Sequence, residues 1–189
     1  PSIRTSGSTI GTISYSWTIF AYLAKLWAFR FIEKSDGRLF DESISKIIVK
    51  LSKTKNISVL QQVIDHKSKE NIRELYQKNR VEHELFEFDD KLLTKVINYD
   101  LAITRSGAST ISELSYLNIP FVAIPLPYAK DNHQYYNAEF YEKNKCCWLV
   151  MQKDIDENNL IDLMTKIFED QNEYFSIKKN LIKLTKENT

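Results

Sequence analysis

Apolar positions follow two alternating spacings along most of the chain. From residue 40 onward, apolar residues three and four positions apart predict helices, and short apolar runs between them predict strands. The predicted strands are 57–64, 81–88, 101–104, 121–124 and 147–151; the predicted helices are 40–53, 69–78, a short one ending at 97, 109–117, 131–143, 156–168 and 175–185. Strands that alternate with helices predict an α/β fold, a doubly wound and mostly parallel sheet with helices on both faces.

Several polar residues and prolines mark where these elements begin and end. Asp89 or Asp90 is expected to cap the short helix before residue 97, and Ser109 or a close neighbour to cap the helix over 109–117. Pro125 and Pro127 are expected to stop the strand over 121–124, because proline cannot donate a hydrogen bond to a sheet.

The segment 13–32 is apolar enough to be considered as a membrane-spanning helix. It has the length of a membrane-spanning helix. However, Lys25 lies within it, and a central lysine costs about 2.5–3.5 kcal/mol on insertion scales. Three interpretations stay open, namely a span, an interfacial or domain-packing helix, and an unusual terminus. We therefore predict an atypical N-terminal segment with a hydrophobic helix over 1–38, followed by a single domain over 39–189.

Composition narrows the class of protein. The 189 residues carry 26 Lys plus Arg against 25 Asp plus Glu, which gives a net charge of +1. This balance excludes a strongly basic nucleic-acid-binding protein, and 43% apolar residues describe a globular chain. The two cysteines, Cys146 and Cys147, are adjacent in an apolar run, so core packing of reduced thiols is expected rather than a disulfide.

Candidate chemistry lies in the loops that follow the predicted strands, because parallel sheets bind ligands at their carboxyl ends. The segment TRSGAST, from Thr104 to Thr110, joins a buried strand to a helix start. Its small residues allow a ligand close to the backbone, and free N–H groups at a helix start favour a phosphate. An ordinary strand-to-helix turn is the alternative interpretation.

Two further groups of polar residues are candidates. Glu113 lies one turn into the same predicted helix. A carboxylate there can accept hydrogen bonds from a ribose diol, or it is simply stabilised by the helix dipole. The run from Asp131 to Gln134, with Asn137, offers donors and acceptors for sugar hydroxyls, or else caps an exposed helix. The sequence contains no zinc-ligand spacing, no G-x-S-x-G elbow and no Walker loop, so we predict neither a metal nor a cofactor.

Together these residues carry a resemblance. The segment from Leu101 to Ala138 closely resembles the donor-binding domain of the MurG family, bacterial N-acetylglucosaminyltransferases. The family motif R-S-G-A-x-T-x-x-E, a P-x-P-like strand end and D-x-x-Q-x-x-N-A are matched here by Arg105, Ser106, Gly107, Ala108, Thr110, Glu113, Pro125, Asp131, Gln134, Asn137 and Ala138. The similarity extends over about residues 40 to 187.

The resemblance implies the Rossmann-like C-terminal half of an inverting GT-B glycosyltransferase. Such an enzyme transfers N-acetylglucosamine from UDP-N-acetylglucosamine to undecaprenyl-pyrophosphoryl-muramyl-pentapeptide, in peptidoglycan synthesis at the cytoplasmic face of the bacterial inner membrane. The resemblance assigns the ribose diol to Glu113, the sugar hydroxyls to His133 and Gln134, and the uracil to the backbone near Phe88. Substrate binding is expected from Phe88, Arg105, Ser106, Gly107, Ala108, Thr110, Glu113, Asp131, His133, Gln134 and Asn137.

The chain also departs from the family pattern. A glycine-rich phosphate loop is expected before the helix near Phe40, but Ser35, Asp36, Gly37 and Arg38 stand there. Residues 1–34 do not match the family's acceptor-binding domain. Two alternatives therefore stay open beside the donor half of a single-chain enzyme: a stand-alone donor-binding subunit with a separate partner, and an inactive module that binds nucleotide sugars.

Overall fold

The computed structural model describes residues 24–29, 37–155 and 157–187. Its strands form one parallel sheet. Within these residues the strands are β1 Ala24–Phe29, β2 Ile57–Gln62, β3 Glu82–Phe86, β4 Leu101–Thr104, β5 Phe121–Ala123 and β6 Trp148–Leu149. The helices are α1 Gly37–Leu51, α2 His66–Lys78, α3 Leu92–Val96, α4 Ala108–Tyr116, α5 His133–Lys143, α6 Glu157–Glu169 and α7 Gln171–Glu187.

The strand order is β3-β2-β1-β4-β5-β6, and all neighbouring pairs are parallel. This order confirms the predicted doubly wound, Rossmann-like sheet. The direction of winding reverses between β1 and β4, where Leu26 pairs with Leu101 and Phe29 with Thr104. Because ligands bind in the crevice at such a reversal point, the loops after β1 and β4 are the first places to search for a site.

The predicted hydrophobic helix is wrong for residues 24–29. These six residues form β1, which lies between β2 and β4 in the middle of the sheet. The central strand of a parallel sheet is typically a nearly continuous apolar run, and periodicity alone cannot distinguish such a run from a buried helix. The rest of the predicted helix, 13–23 and 30–32, lies outside the described residues. The six residues of β1 join the sheet of the domain that we placed at 39–189.

The helices cover the two faces of the sheet. In α1, Ile44, Ile47 and Ile48 recur at helical spacing and are fully buried. Right-handed crossovers place α1 and α4 on opposite faces, because the chain leaves the reversal point in opposite directions. Strands β2, β4 and β5 are buried along almost their whole length, whereas the edge strand β3 exposes Glu82 and Glu84. Charged side chains on an edge oppose pairing with another chain.

A buried polar network attaches α1 and α2 to β2. The Tyr76 hydroxyl donates to Gln61 Oε1 at 2.6 Å, and Gln61 Nε2 donates to the Ser45 hydroxyl at 3.1 Å. Burial raises the pKa of Tyr76 well above its usual value, so its hydroxyl stays protonated and able to donate. The network holds α1, the helix that begins at the reversal point, against the sheet.

The predicted cap of α3 is wrong, and the cap of α4 lies at a neighbour of Ser109. Gly107, not Ser109, is the N-cap of α4, and no side chain caps that helix. Lys91 is the N-cap of α3, and Asp89 instead accepts the Lys91 N–H at 2.8 Å while its other oxygen lies 2.6 Å from Lys95 Nζ. The hydrogen bond from Lys95, and then that from Lys91, hold the pKa of Asp89 below its usual value.

The adjacent cysteines are expected to resist thiol reagents in the folded chain. Both are buried, and burial raises the pKa of Cys146 to about 11 and that of Cys147 further. Because the thiolate is the reactive form, Ellman's reagent should label the native protein slowly at mildly alkaline pH. Both thiols should react at once after denaturation in guanidinium chloride. Rapid labelling of the native chain would contradict the buried position.

None of the helices in the described part of the chain has both the length and the apolar composition to cross a membrane.

Candidate functional site

The carboxyl end of β4 begins the candidate site. Arg105, Ser106 and Gly107 follow β4 directly at the reversal point, and α4 starts at Ala108. No capping side chain accepts a hydrogen bond from the first N–H groups of α4. Gly107 has no side chain to keep a ligand away from these groups. The arrangement therefore suits an anion that accepts hydrogen bonds from the helix start.

Two buried hydroxyls beside this helix start have unused hydrogen-bonding capacity. Ser106 precedes the N-cap and Thr110 lies in the first turn of α4, and both side chains are fully buried. Neither Ser106 Oγ nor Thr110 Oγ1 has a hydrogen-bond partner among the described residues. A buried hydroxyl without a partner costs about 1–3 kcal/mol, so such groups usually mark a ligand or solvent site.

The Arg105 side chain points into the protein. It is only 3% exposed, and its Cζ lies 4.1 Å from the ring centroid of Phe40 in the first turn of α1. Its Nη1 donates to the carbonyls of Ile124 and Pro125, both at 3.4 Å. Arg105 therefore joins the loop after β4 to α1 and to the end of β5. Because the side chain is buried, the predicted contact between Arg105 and the substrate is assigned to the backbone of Arg105. This contact stays a prediction.

The predicted helix from Asp131 begins two residues later. Lys130–Asn132 form a 3₁₀ turn in which Asp131 has φ 54° and Asn132 has φ 52°, and α5 starts at His133. Left-handed backbone cannot continue a right-handed helix, which explains the later start. No side chain caps α5, which starts beyond the carboxyl end of β5, and the N–H of its first residue, His133, donates to the carbonyl of Lys130 in the preceding 3₁₀ turn.

Replacing Asn132 by valine should destabilise the protein. Asparagine tolerates left-handed backbone, whereas a β-branched residue pays about 1–2 kcal/mol there. The expected result is a fall of that size in the free energy of unfolding, measured in urea. Asn132→Gly should retain stability. The control is Asn71→Val at an exposed position within α2, for which helix propensities predict a change below about 0.5 kcal/mol. Equal losses in the two valine variants would contradict the explanation.

Two amide side chains bring the loop after β4, the loop after β5 and α5 together. Gln134 is buried, and its Oε1 accepts the N–H of Leu126 at 3.0 Å. Asn137 Nδ2 donates to the backbone oxygen of Ser106 at 3.1 Å. The Gln134 amide nitrogen has no hydrogen-bond partner within the part of the chain described and can donate to a ligand hydroxyl.

His133 and Asp131 lie exposed at the same end of α5. His133 Nδ1 is 2.6 Å from the carbonyl oxygen of Lys130, a contact that leaves Nε2 available to a ligand. Asp131 carries the left-handed turn that places His133 at the helix start. Their proposed contacts with sugar hydroxyls stay predictions.

The remaining predicted residues surround the reversal point at different distances along the sheet. Glu113 is half-buried in the second turn of α4 and has no side-chain partner among the residues described, whereas Ala108 is exposed as the first residue of that helix. Phe88 is 85% exposed two residues after β3, an edge strand that is separated from β1 by β2. The predicted uracil contact near Phe88 therefore lies at the outer edge of the sheet, beyond the carboxyl end of β3, and stays a prediction.

The structure adds Phe40 and the carbonyls of Ile124 and Pro125 to the residues that shape the site. Phe40 was visible in the sequence as the first apolar residue of a helical stripe, a position that predicts core packing rather than contact with an arginine. The described residues contain no group of three His, Cys, Asp or Glu side chains that would hold a metal ion.

Comparison with known proteins identifies the relatives of this chain. The model of the glycosyltransferase family 28 C-terminal domain matches residues 35–188. A relative from Pelagibacter ubique (strain HTCC1062) is 39% identical over 153 residues, covering 81% of this chain and 43% of the relative. A relative from Rickettsia canadensis (strain McKiel) is 37% identical over 192 residues, covering 98% and 51%. Both are named UDP-N-acetylglucosamine–N-acetylmuramyl-(pentapeptide) pyrophosphoryl-undecaprenol N-acetylglucosamine transferase.

A solved structure supports the fold independently. The crystal structure of Acinetobacter baumannii MurG matches with a TM-score of 0.72 over 95% of this chain and 52% of that protein, at 19% identity. The chain thus spans about half the length of the relatives that it matches.

Proposed function

Because the chain belongs to the glycosyltransferase family 28 C-terminal domain family, we propose that it is the donor-binding half of an inverting N-acetylglucosaminyltransferase. The donor is UDP-N-acetylglucosamine, and the acceptor is undecaprenyl-pyrophosphoryl-muramyl-pentapeptide, as the names of the relatives state for those proteins. The enzyme works in peptidoglycan synthesis as a peripheral protein at the cytoplasmic face of the inner membrane. The acceptor-binding part is supplied by a further domain or a separate subunit.

One observation carries this proposal. The uncapped starts of α4 and α5 lie beyond the ends of β4 and β5, and Asn137 joins α5 to the loop at Ser106. Helix starts carry partial positive charge and free N–H donors, which suit the diphosphate of a nucleotide sugar. The unpartnered hydroxyls of Ser106 and Thr110 supply two further groups beside the same helix start.

The remaining parts of the donor are assigned to residues around the diphosphate. Glu113 accepts hydrogen bonds from the ribose diol, since its carboxylate has no protein partner among the described residues. Gln134 donates its free amide N–H to a sugar hydroxyl, and His133 lies beside it. The backbone near Phe88 meets the uracil.

The reaction is a direct displacement at the anomeric carbon. An acceptor hydroxyl forms the new bond to C1, while the bond from C1 to the UDP oxygen breaks and UDP leaves with the electron pair. Negative charge grows on the diphosphate as it departs, and preorganised N–H groups at the helix starts stabilise that charge. The proton of the acceptor hydroxyl goes to a base that we place outside the donor half.

A transfer assay in trans tests the activity. The full chain is mixed with the acceptor-binding half of the Pelagibacter relative, a lipid-linked acceptor and labelled UDP-N-acetylglucosamine. Label should enter the lipid only when both halves are present. If the chain binds the donor but no label is transferred with a folded partner half, the proposal of a catalytic half fails and the chain is a nucleotide-sugar-binding module.

A further inference from the structure

The loop after β3, residues 87–91, presents unused main-chain groups at the carboxyl edge of the sheet. Phe88 is 85% exposed, and neither its N–H nor its carbonyl oxygen has a hydrogen-bond partner among the described residues. An unused N–H beside an unused carbonyl can pair with the edge of uracil, whose N3–H donates and whose O4 accepts. The orientation of this short piece of backbone therefore decides how well the base is held. Residues 87–91 are referred to below as the β3 loop.

Hydrogen bonds hold the β3 loop on both sides of Phe88. Before it, the carbonyl of Glu87 accepts a hydrogen bond from Gln62 Nε2, at the end of β2, at 2.8 Å. After it, Asp89 Oδ1 accepts the N–H of Lys91 at 2.8 Å, which closes a tight turn. Because Phe88 has no such bond of its own, its neighbours in the loop determine where its main-chain groups point.

Lys95 in α3 connects the β3 loop to the strand that precedes it. Its Nζ lies 2.6 Å from Asp89 Oδ2 and 2.5 Å from Glu84 Oε1 in β3. The Asp89 side chain is only 13% exposed, and both of its oxygens are engaged, one by Lys95 and the other by the main chain of the turn. One cation shared by two carboxylates forms a small network, which holds its members better than an isolated surface pair does.

We propose that Lys95 is a positioning residue for the base of the nucleotide. By binding Asp89 and Glu84 together, it fixes the turn that directs the N–H and carbonyl of Phe88 towards the uracil. It acts through Asp89, because its ammonium group faces two protein carboxylates. Lys95 lies outside the segment that carries the family motif, from Leu101 to Ala138. The inference deepens the proposed function and rests on it for the presence of a uridine nucleotide.

Calorimetric titration of the full chain with UDP tests the role of Lys95. Lys95→Met should raise the Kd by about fivefold, the largest effect that a partly exposed ion pair supports. Lys95→Arg should retain most of the affinity, because a guanidinium can also bridge two carboxylates. The matched control is Lys55→Met, two residues before β2 at the opposite end of the strands. It breaks a 3.1 Å ion pair with Glu169 and should leave the Kd unchanged.

A pair of ligands separates positioning of the base from a merely structural role. N3-methyl-UDP cannot donate from N3, so the wild type should bind it more weakly than UDP. Lys95→Met should lose most of this preference, because the main-chain groups of Phe88 are no longer held in place. A change in stability alone would not alter the preference between the two ligands in a chain that urea unfolding shows to be fully folded.

A double-mutant cycle tests whether Lys95 acts through Asp89. Asp89→Asn retains an acceptor for the Lys91 N–H but loses the charge that Lys95 binds, so it should weaken UDP binding about as much as Lys95→Met does. The variant that carries both substitutions should bind UDP no more weakly than Lys95→Met alone. Losses that add in the double variant would contradict an action through Asp89.

Three further results would overturn the role of Lys95 while leaving the donor site in place: a Lys95→Met variant that binds UDP like the wild type, equal losses in Lys95→Met and Lys55→Met, or an unchanged preference for UDP over N3-methyl-UDP in Lys95→Met. A wild type that binds UDP without distinguishing the two ligands would defeat the uracil contact near Phe88 and this inference with it. A folded wild type that binds no UDP would defeat the proposed donor site itself.

Discussion

The Glu113→Ala variant is expected to bind UDP about 1–3 kcal/mol more weakly than the wild type, a roughly 5- to 150-fold rise in Kd. The carboxylate has no protein partner among the described residues, so its removal should cost hydrogen bonds to the ribose and leave folding intact. Calorimetric titration with UDP measures the loss, and urea unfolding verifies that stability is unchanged.

A matched pair of ligands makes this prediction more specific. UDP and 2′-deoxy-UDP differ by one ribose hydroxyl, which the wild type should distinguish and the Glu113→Ala variant should not. Glu142→Ala, which removes an exposed carboxylate from the last turn of α5, should bind both ligands like the wild type. An unchanged UDP affinity in Glu113→Ala would remove Glu113 from the site.

The Arg105→Met variant is expected to lose about 3 kcal/mol of unfolding free energy. The carbonyls of Ile124 and Pro125 would lose the guanidinium as donor, and the loss of a buried hydrogen bond costs about 1–3 kcal/mol. The contact of the guanidinium with Phe40 contributes roughly 0.5–2 kcal/mol more. Methionine retains most of the apolar volume, so the loss reports on the guanidinium rather than on a cavity. Urea unfolding, followed by circular dichroism, measures it.

A surface arginine provides the control for this variant. Arg73→Met on α2 breaks an ion pair with Glu70 that is partly exposed, and such pairs contribute less than about 1 kcal/mol. Arg105→Lys should fall between the wild type and Arg105→Met, because an ammonium retains charge but lacks the planar group that lies over Phe40. An Arg105→Met variant as stable as the wild type would contradict the internal role of Arg105.

The sequence was sufficient for the order of elements from α1 onward. Helical spacing is visible in the sequence at Ile44, Ile47 and Ile48, and a short apolar run is visible at 101–104. These two patterns distinguish the helices from the strands. The sequence was not sufficient at β1, because the sequence of this central strand, AKLWAF, is as largely apolar as that of a hydrophobic helix. Only the pairing with neighbouring strands distinguishes the two structures.

The sequence located the candidate residues along the chain but not the direction of their side chains. The motif spacing located Glu113, Gln134 and Asn137. The burial of Arg105 over Phe40 depends on a contact between residues far apart in sequence, which no local pattern reveals. The left-handed turn at Asp131 and Asn132 has a local signal, since these residue types favour turns, but the same residues also favour helix caps.

We expect this chain to bind a nucleotide sugar at the carboxyl ends of β4 and β5. Calorimetric titration of the full chain with UDP-N-acetylglucosamine measures this binding, with UDP-glucose as the control ligand. Saturable binding of UDP-N-acetylglucosamine at one site per chain is expected, with weaker binding of UDP-glucose. Absence of binding, in a chain shown by circular dichroism to be folded, would contradict it.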